Sequence, residues 1–397
     1  MASLIQVAIV VVLLTPTVLA APSASAYADE EWRDYWPTYG WESTPPAMQG
    51  MDPGMLAWAD QRFAAETPLL SSVVVVKGGR IVYERLANGY SPGERFHAWS
   101  VGKSVTNIAV GMALDEEVLT SLDQTLGELI PERIPDGADP RVWNITIEQL
   151  LTMTAGWAWD GRMNFARAAE TDDIDLMLSR PMQCDPGTCF EYDSGSSNLL
   201  SYIIQMRTGQ SMADYLASRL FAPLGIDHPY WITTEDGATR GGGGLYLTAR
   251  EMAKIGYLYL NDGRWGEQQL VSRDWVERST QEHASGYGFF SGVNIGPGAY
   301  GYHWWIAYPS GYQAFVASGY GGQLVYVVPA LDLIVVTAYA HADPTRSDLQ
   351  QHAQPIIEEA IVPAALGSLA SHAATTSDGV ARRGICRVVQ VGYGVLP

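Results

Sequence analysis

Ser100 and Lys103 stand three residues apart in Ser100-Val101-Gly102-Lys103, and an apolar stretch continues from there to Leu114. On a helix that offset puts both side chains on one face, one turn apart. A serine in a first helical turn sits where open backbone N–H groups and the helix dipole favour developing negative charge. A lysine amine kept neutral by burial can take the serine proton, so the pair could form an activated nucleophile. Lysine is scarce: Lys77, Lys103 and Lys254 are the only three, and arginine supplies the other 21 of 24 positive charges. Guanidinium does not give up its proton, so arginine could not replace Lys103 as a base. Taken alone, Ser-x-x-Lys is a common spacing, and a capped surface helix is its default reading.

Two later segments could complete the chemistry. Phe190-Glu191-Tyr192-Asp193-Ser194 precedes a helical pattern, and a tyrosine held near a lysine can relay a proton to a leaving group. The commoner fate of a single tyrosine is a core position with a satisfied hydroxyl. Ala317-Ser318-Gly319-Tyr320-Gly321-Gly322-Gln323 joins two strand patterns. Glycines there admit a ligand close to the backbone, and an N–H at a strand end can complete an oxyanion hole. An ordinary glycine-rich turn is the plainer alternative. Trp157 and Trp159 follow Ala155-Gly156 and could wall a cleft, with packing the commoner role.

The elements that must position these residues follow from pattern. Asp52-Pro53 opens a helix to about Ala65, with an N-cap followed by proline in the first turn. Ser72–Lys77 and Arg80–Glu84 read as strands joined by a Gly78-Gly79 hairpin. The chain then turns mostly helical to about Ile295, with helices expected at Ser100–Leu114, Ile147–Met153, Ser197–Arg207, Ser211–Leu220 and Thr248–Asn261. Strands return at Tyr312–Ala317, Gln323–Val328 and Leu331–Tyr339, and a last helix is expected from about Ser347 to Ala365. The fold class is therefore α/β plus α. An antiparallel sheet built from N- and C-terminal segments (about 50–97 and 296–366) is flanked by helices, with an inserted, mostly helical lobe (about 98–295). A ligand cleft is expected between the lobes. Residues 29–366 form the functional domain, and 367–397 an irregular tail.

Bulk properties set the context. The 397 residues are 47% hydrophobic, enough for a sizeable core. A net charge of −19 argues against nucleic acid or anionic membranes as partners. The apolar run Val7–Leu19, followed by Val18-Leu19-Ala20 and Ala24-Ser25-Ala26, reads as an export signal within residues 1–28, although its first six residues lack Lys and Arg. No other run approaches membrane length. Export predicts a secreted or periplasmic protein and makes a disulfide between Cys184 and Cys189 expected, because Asp185-Pro186-Gly187-Thr188 is a turn that brings its flanks together. Cys386 is left over.

The three motifs in this order and context resemble the serine β-lactamase and penicillin-binding superfamily, with landmarks from about Met55 to Ala364. Within it the chain is most similar to class C-like esterases and 6-aminohexanoate-dimer hydrolases. Thr146-Ile147-Glu148-Gln149-Leu150-Leu151-Thr152-Met153-Thr154-Ala155-Gly156, the Gly241–Gly244 run, Trp304-Trp305 and Gly321-Gly322-Gln323 carry that likeness. The resemblance implies Ser100 as nucleophile, Lys103 as its base and Tyr192 as the motif tyrosine. It also implies an oxyanion hole from the N–H groups of Ser100 and Tyr320, with Ser194, Ser318 and Gly319 about the substrate; Trp157 joins them only as the cleft wall read above. Two positions depart from the family pattern: Ser194 replaces its asparagine, and Ala317 replaces the strand lysine. Without that cation a β-lactam carboxylate loses a charge-assisted contact, so an ester, amide or peptide substrate is favoured.

Other signals lead nowhere. Gly89-Tyr90-Ser91-Pro92-Gly93 matches a nucleophile elbow, but Pro92 and Glu94-Arg95 replace the helix such an elbow needs. Gly102-Lys103-Ser104 mimics a phosphate loop whose earlier glycine is His97 here. The seven histidines show no ligand spacing, so no metal or other cofactor is expected. Asn144-Ile145-Thr146 is a glycosylation sequon, meaningful only in a glycosylating host. The competing functions are a β-lactamase or D-Ala-D-Ala carboxypeptidase, and a catalytically inactive receptor on the same fold.

Overall fold

In the computed structural model the strands from the two ends of the chain meet in one sheet. The structure describes residues 33–158, 174–234, 237–286, 298–340 and 349–367. The expected export segment, Trp159, Cys386 and the expected tail beyond Gly367 lie outside them.

Helix α1 (Pro53–Glu66) starts as its sequence dictates: the Asp52 side chain accepts from the N–H groups of Gly54 and Met55, and proline occupies the first turn. Strands β1 (Ser72–Lys77) and β2 (Arg80–Leu86) form the expected hairpin. Gly78 and Gly79 both have positive φ, +59° and +75°, as a tight hairpin turn matching strand twist requires. Helices α2 (Val101–Asp115), α3 (Ser194–Thr208) and α4 (Ala249–Leu260) follow. The sheet is completed by β3 (Ala284–Gly286), β4 (Gly298–Tyr300), β5 (Trp305–Ala307), β6 (Ala314–Gly319), β7 (Gln323–Val328) and β8 (Leu333–Ala338). Helix α5 (Leu349–Ile356) is the last of the described residues' helices and continues through wider turns at Ile357–Ile361 into a helical stretch that reaches residue 367.

The strand order is β2-β1-β8-β7-β6-β5-β4-β3, antiparallel throughout. Both faces of the sheet are covered. Val74, Val76, Val325, Val327, Ile334 and Val336 share a core with α2 and α4, whereas Val73, Val75, Tyr326, Val328 and Val335 share one with α1 and α5. Double burial explains why β1, β7 and β8 read as unbroken apolar runs rather than alternating ones.

Several boundaries differ from expectation. The helix expected from Ser211 is regular only over Met212–Leu216, with wider turns to Phe221. Strand β6 starts at Ala314 rather than Tyr312, because Pro309–Gly311 forms a turn just before it. Strand β8 starts at Leu333, since Pro329–Leu331 turns and Asp332 takes a left-handed conformation. Ala284–Gly286, expected in the helical lobe, is a sheet strand, and Gly298–Tyr300 and Trp305–Ala307 were not foreseen. Three residues are too few to display a period of two.

Candidate active site

Helix α2 is buried along Val101–Ala113, so the surface-helix reading of Ser-x-x-Lys fails. Ser100 occupies its N-cap position with near-helical angles, and its side chain makes no capping bond. A serine there would ordinarily cap the helix; this hydroxyl is instead engaged with Lys103, whose Nζ lies 3.1 Å from Ser100 Oγ. Lys103 Nζ also lies 3.0 Å from Ser194 Oγ and 2.7 Å from the carbonyl oxygen of Gly242. Lys103 is 1% exposed, and burial pulls its pKa down to about 7, against a smaller upward pull from Asp193. The three contacts suit a neutral amine. Gly242 can only accept, Ser194 Oγ can take the second N–H, and the lone pair remains for the Ser100 hydroxyl proton.

Tyr192 hydrogen-bonds Ser100, while burial raises its phenol pKa well above 10. Its ring lies 4.9 Å from Lys103 Nζ and stacks on Trp305, with Tyr300 edge-on. Ser100, Tyr192, Ser194 and Tyr320 are all partly exposed while Lys103 is buried. The geometry thus combines a reachable hydroxyl with a dry amine.

The glycine run Gly241–Gly244 explains how helices α2 and α3 come so close. A Cβ on Gly242 would lie 2.8 Å from the Ser194 carbonyl, one on Gly241 2.2 Å from that of Ser197, and Gly102 packs on Gly243. The same tightness fixes the other side of the site. A Cβ on Gly319 would stand 2.3 Å from the Ala98 carbonyl and 3.2 Å from Trp99 Cβ, so the end of β6 rests on the backbone just before Ser100. Tyr320 follows directly, its ring 5.3 Å from that of Trp99. Strand β5 accompanies β6 only as far as Val316.

Two expected substrate contacts sit elsewhere. Trp157 is a core side chain, 2% exposed, with the Arg180 guanidinium over its ring; packing, not a cleft wall, is its role. Ser318 is buried, and its Oγ finds no hydrogen-bond partner among the described residues. Alternation puts it on the face of Ala314 and Val316, which α1 and α5 cover. Cys184 and Cys189 form the expected disulfide, in a turn tied to Thr154 and Gly156 by backbone bonds.

Three supports escaped the sequence reading. Asp193, between Tyr192 and Ser194, forms a buried two-pronged pair with Arg180 at 3.0 and 2.7 Å. It also caps α3 through the N–H groups of Gly195 and Ser196. Burial pushes the Asp193 carboxyl up, but Arg180 and those N–H bonds outweigh it and hold the pKa low. Second, Tyr300 and Trp305 seat the Tyr192 ring. Third, buried His303 bridges the two helices: its Nδ1 donates to the Lys103 carbonyl (3.0 Å), leaving Nε2 to accept from Ser197 Oγ (3.2 Å). Burial and Lys103 keep it neutral, with a pKa near 3. An Asp before Ser-Gly-Ser was a legible cap signal; Arg180 and His303 carried none.

A profile of the Beta-lactamase family matches residues 63–357. The chain belongs to that family of serine hydrolases. It is 26% identical over 307 residues to a 6-aminohexanoate-dimer hydrolase of Paenarthrobacter ureafaciens, covering 70% of this chain and 74% of the relative. A penicillin-binding protein 4 of Amycolatopsis lactamdurans is 32% identical over 137 residues, covering 33% of this chain and 34% of that one. Among solved structures, a Bacillus anthracis protein provisionally assigned as a 6-aminohexanoate-dimer hydrolase superposes with a TM-score of 0.64 at 24% identity, covering 77% of this chain and 81% of that one. An octameric penicillin-binding protein homologue from Pyrococcus abyssi gives 0.61 at 20% identity, covering 79% and 78%. At these identities the superpositions speak for the fold.

Proposed function

We propose that this family member cleaves an ester or amide bond through an acyl-enzyme on Ser100. The observation that carries the reading is the buried Lys103 amine, set between Ser100 Oγ, Ser194 Oγ and the Gly242 carbonyl. Ser100 Oγ attacks the carbonyl carbon as its proton passes to Lys103 Nζ. The N–H groups of Ser100 and Tyr320 hold the oxyanion, helped by the α2 dipole. Lys103 returns the proton through the Tyr192 hydroxyl to the departing alcohol or amine. Water then gives a proton to the same pair, attacks the acyl carbon and frees Ser100. Gly319 and Ser194 border the substrate.

Ala317 supplies no cation for a substrate carboxylate, which supports a neutral ester or amide over a β-lactam. The Cys184–Cys189 disulfide supports the reading that residues 1–28 direct export to an oxidising compartment. The test is covalent labelling followed by a substrate panel. A fluorophosphonate should label the wild type and leave Ser100→Ala unlabelled; short-chain p-nitrophenyl esters should be cleaved faster than nitrocefin. Failure to label would point to an inactive receptor, and faster nitrocefin turnover to a β-lactamase.

A further inference from the structure

Five rings run in contact from the surface to Trp99, the residue before Ser100, and on to Tyr320. Tyr230 lies 5.4 Å from Tyr246, Tyr246 4.9 Å from His97, His97 4.1 Å from Trp99, and Trp99 5.3 Å from Tyr320. Tyr230 is 61% exposed and the other four are partly exposed. Core packing buries its rings, as it does Trp304, Tyr257 and Tyr302; a connected row of half-open ones is the form of a ligand surface. The imidazole of His97 carries no charge at neutral pH. Burial, with Arg240 adding to it, lowers the His97 pKa to about 4, and its Nε2 accepts the Gly244 N–H at 3.1 Å.

The backbone gives a second, independent sign. Trp99 has φ of +51°, a left-handed conformation that is costly for a bulky side chain and persists where surroundings impose it. The close packing of Gly319 against Ala98 and Trp99 supplies those surroundings. The strained residue directly precedes Ser100 and turns its ring toward Tyr320.

We infer that this aromatic ladder is a substrate subsite, which takes an uncharged aromatic ring carried by the ester or amide while its carbonyl rests at Ser100. The inference relies on the hydrolase reading above for the word substrate, but not for the ring-binding surface. Two matched pairs of esters test it: methyl phenylacetate against methyl cyclohexylacetate, and benzyl acetate against cyclohexylmethyl acetate. The wild type should favour the aromatic member of one pair by about five- to tenfold in kcat/KM, and the pair that responds tells which side of the scissile bond meets the ladder. Tyr246→Leu should bring that ratio to about one, and exposed Tyr230→Leu, which cannot disturb the core, should lower it part-way. A wild-type ratio near one, or a ratio that both variants leave intact, overturns the inference. Should no ester be turned over, the hydrolase reading fails by itself, and the ladder is tested by tryptophan fluorescence with N-benzylacetamide and Ser100→Ala protein. Binding that weakens about fivefold with Tyr246→Leu upholds it; no binding, or binding indifferent to Tyr246, sinks it.

Discussion

At the residue scale the proposed chemistry turns on the proton held by Lys103. With its pKa at about 7 rather than the ordinary 10.5, the amine can serve the proposed reaction as base only above neutrality. Ester turnover is expected to rise with pH through about 7 and then level, and a flat profile across pH 6–8 would contradict this. Stability follows the same proton. Between about 7 and 10.5 the unfolded chain holds a proton on this amine that the folded chain lacks, so Lys103 makes folding more favourable as pH rises across that window. Lys103→Arg should lose at least about a thousandfold in kcat, because guanidinium cannot accept the serine proton. That Ser100, Lys103 and Tyr192 come together was legible because their signals are local: a helical offset, and a tyrosine just before a helix cap. Trp157 misled because a tryptophan beside a glycine looks the same in a core as in a cleft.

At the element scale, what matters is how α2, α3 and the end of β6 are held within bonding distance. Arg180→Met would leave Asp193 charged, buried and uncompensated beside Tyr192 and Ser194. It should cost about 3–5 kcal/mol of stability in urea titration. Asp193, whose pKa is held below its ordinary value, adds stability at neutral pH that is lost as pH falls through the carboxylate range; in the Arg180 variant this acid sensitivity should shrink. Gly319→Ala places a methyl group against the Ala98 carbonyl and should cut kcat well before it unfolds the protein, which far-UV dichroism beside kinetics would show. The glycines were visible in sequence, but not what they approach. Arg180 lies 13 residues before its partner, and His303 reaches helices about 100 and 200 positions earlier; no spacing rule links residues so far apart.

At the scale of the whole molecule, the long strands were legible from apolar runs between turn residues, and the short ones of the β3–β5 edge were not. That edge seats Tyr192, so part of the site's scaffold was invisible along with it. Helix α5 and the turns after it bury Ile356, Ile357 and Ile361 on one face of the sheet. A chain ending at residue 340 should therefore aggregate rather than fold, as size-exclusion chromatography would reveal.

The pairing of β1 with β8 (Ser72 opposite Ala338) sets an order of events. A growing chain carries its serine and lysine long before the strand that closes the sheet exists, and bringing the two ends together costs loop entropy over some hundreds of residues. The proposed nucleophile is thus made early and armed late. Refolding from denaturant should be slow, and catalytic activity should return only with the final phase, when the first and last strands join.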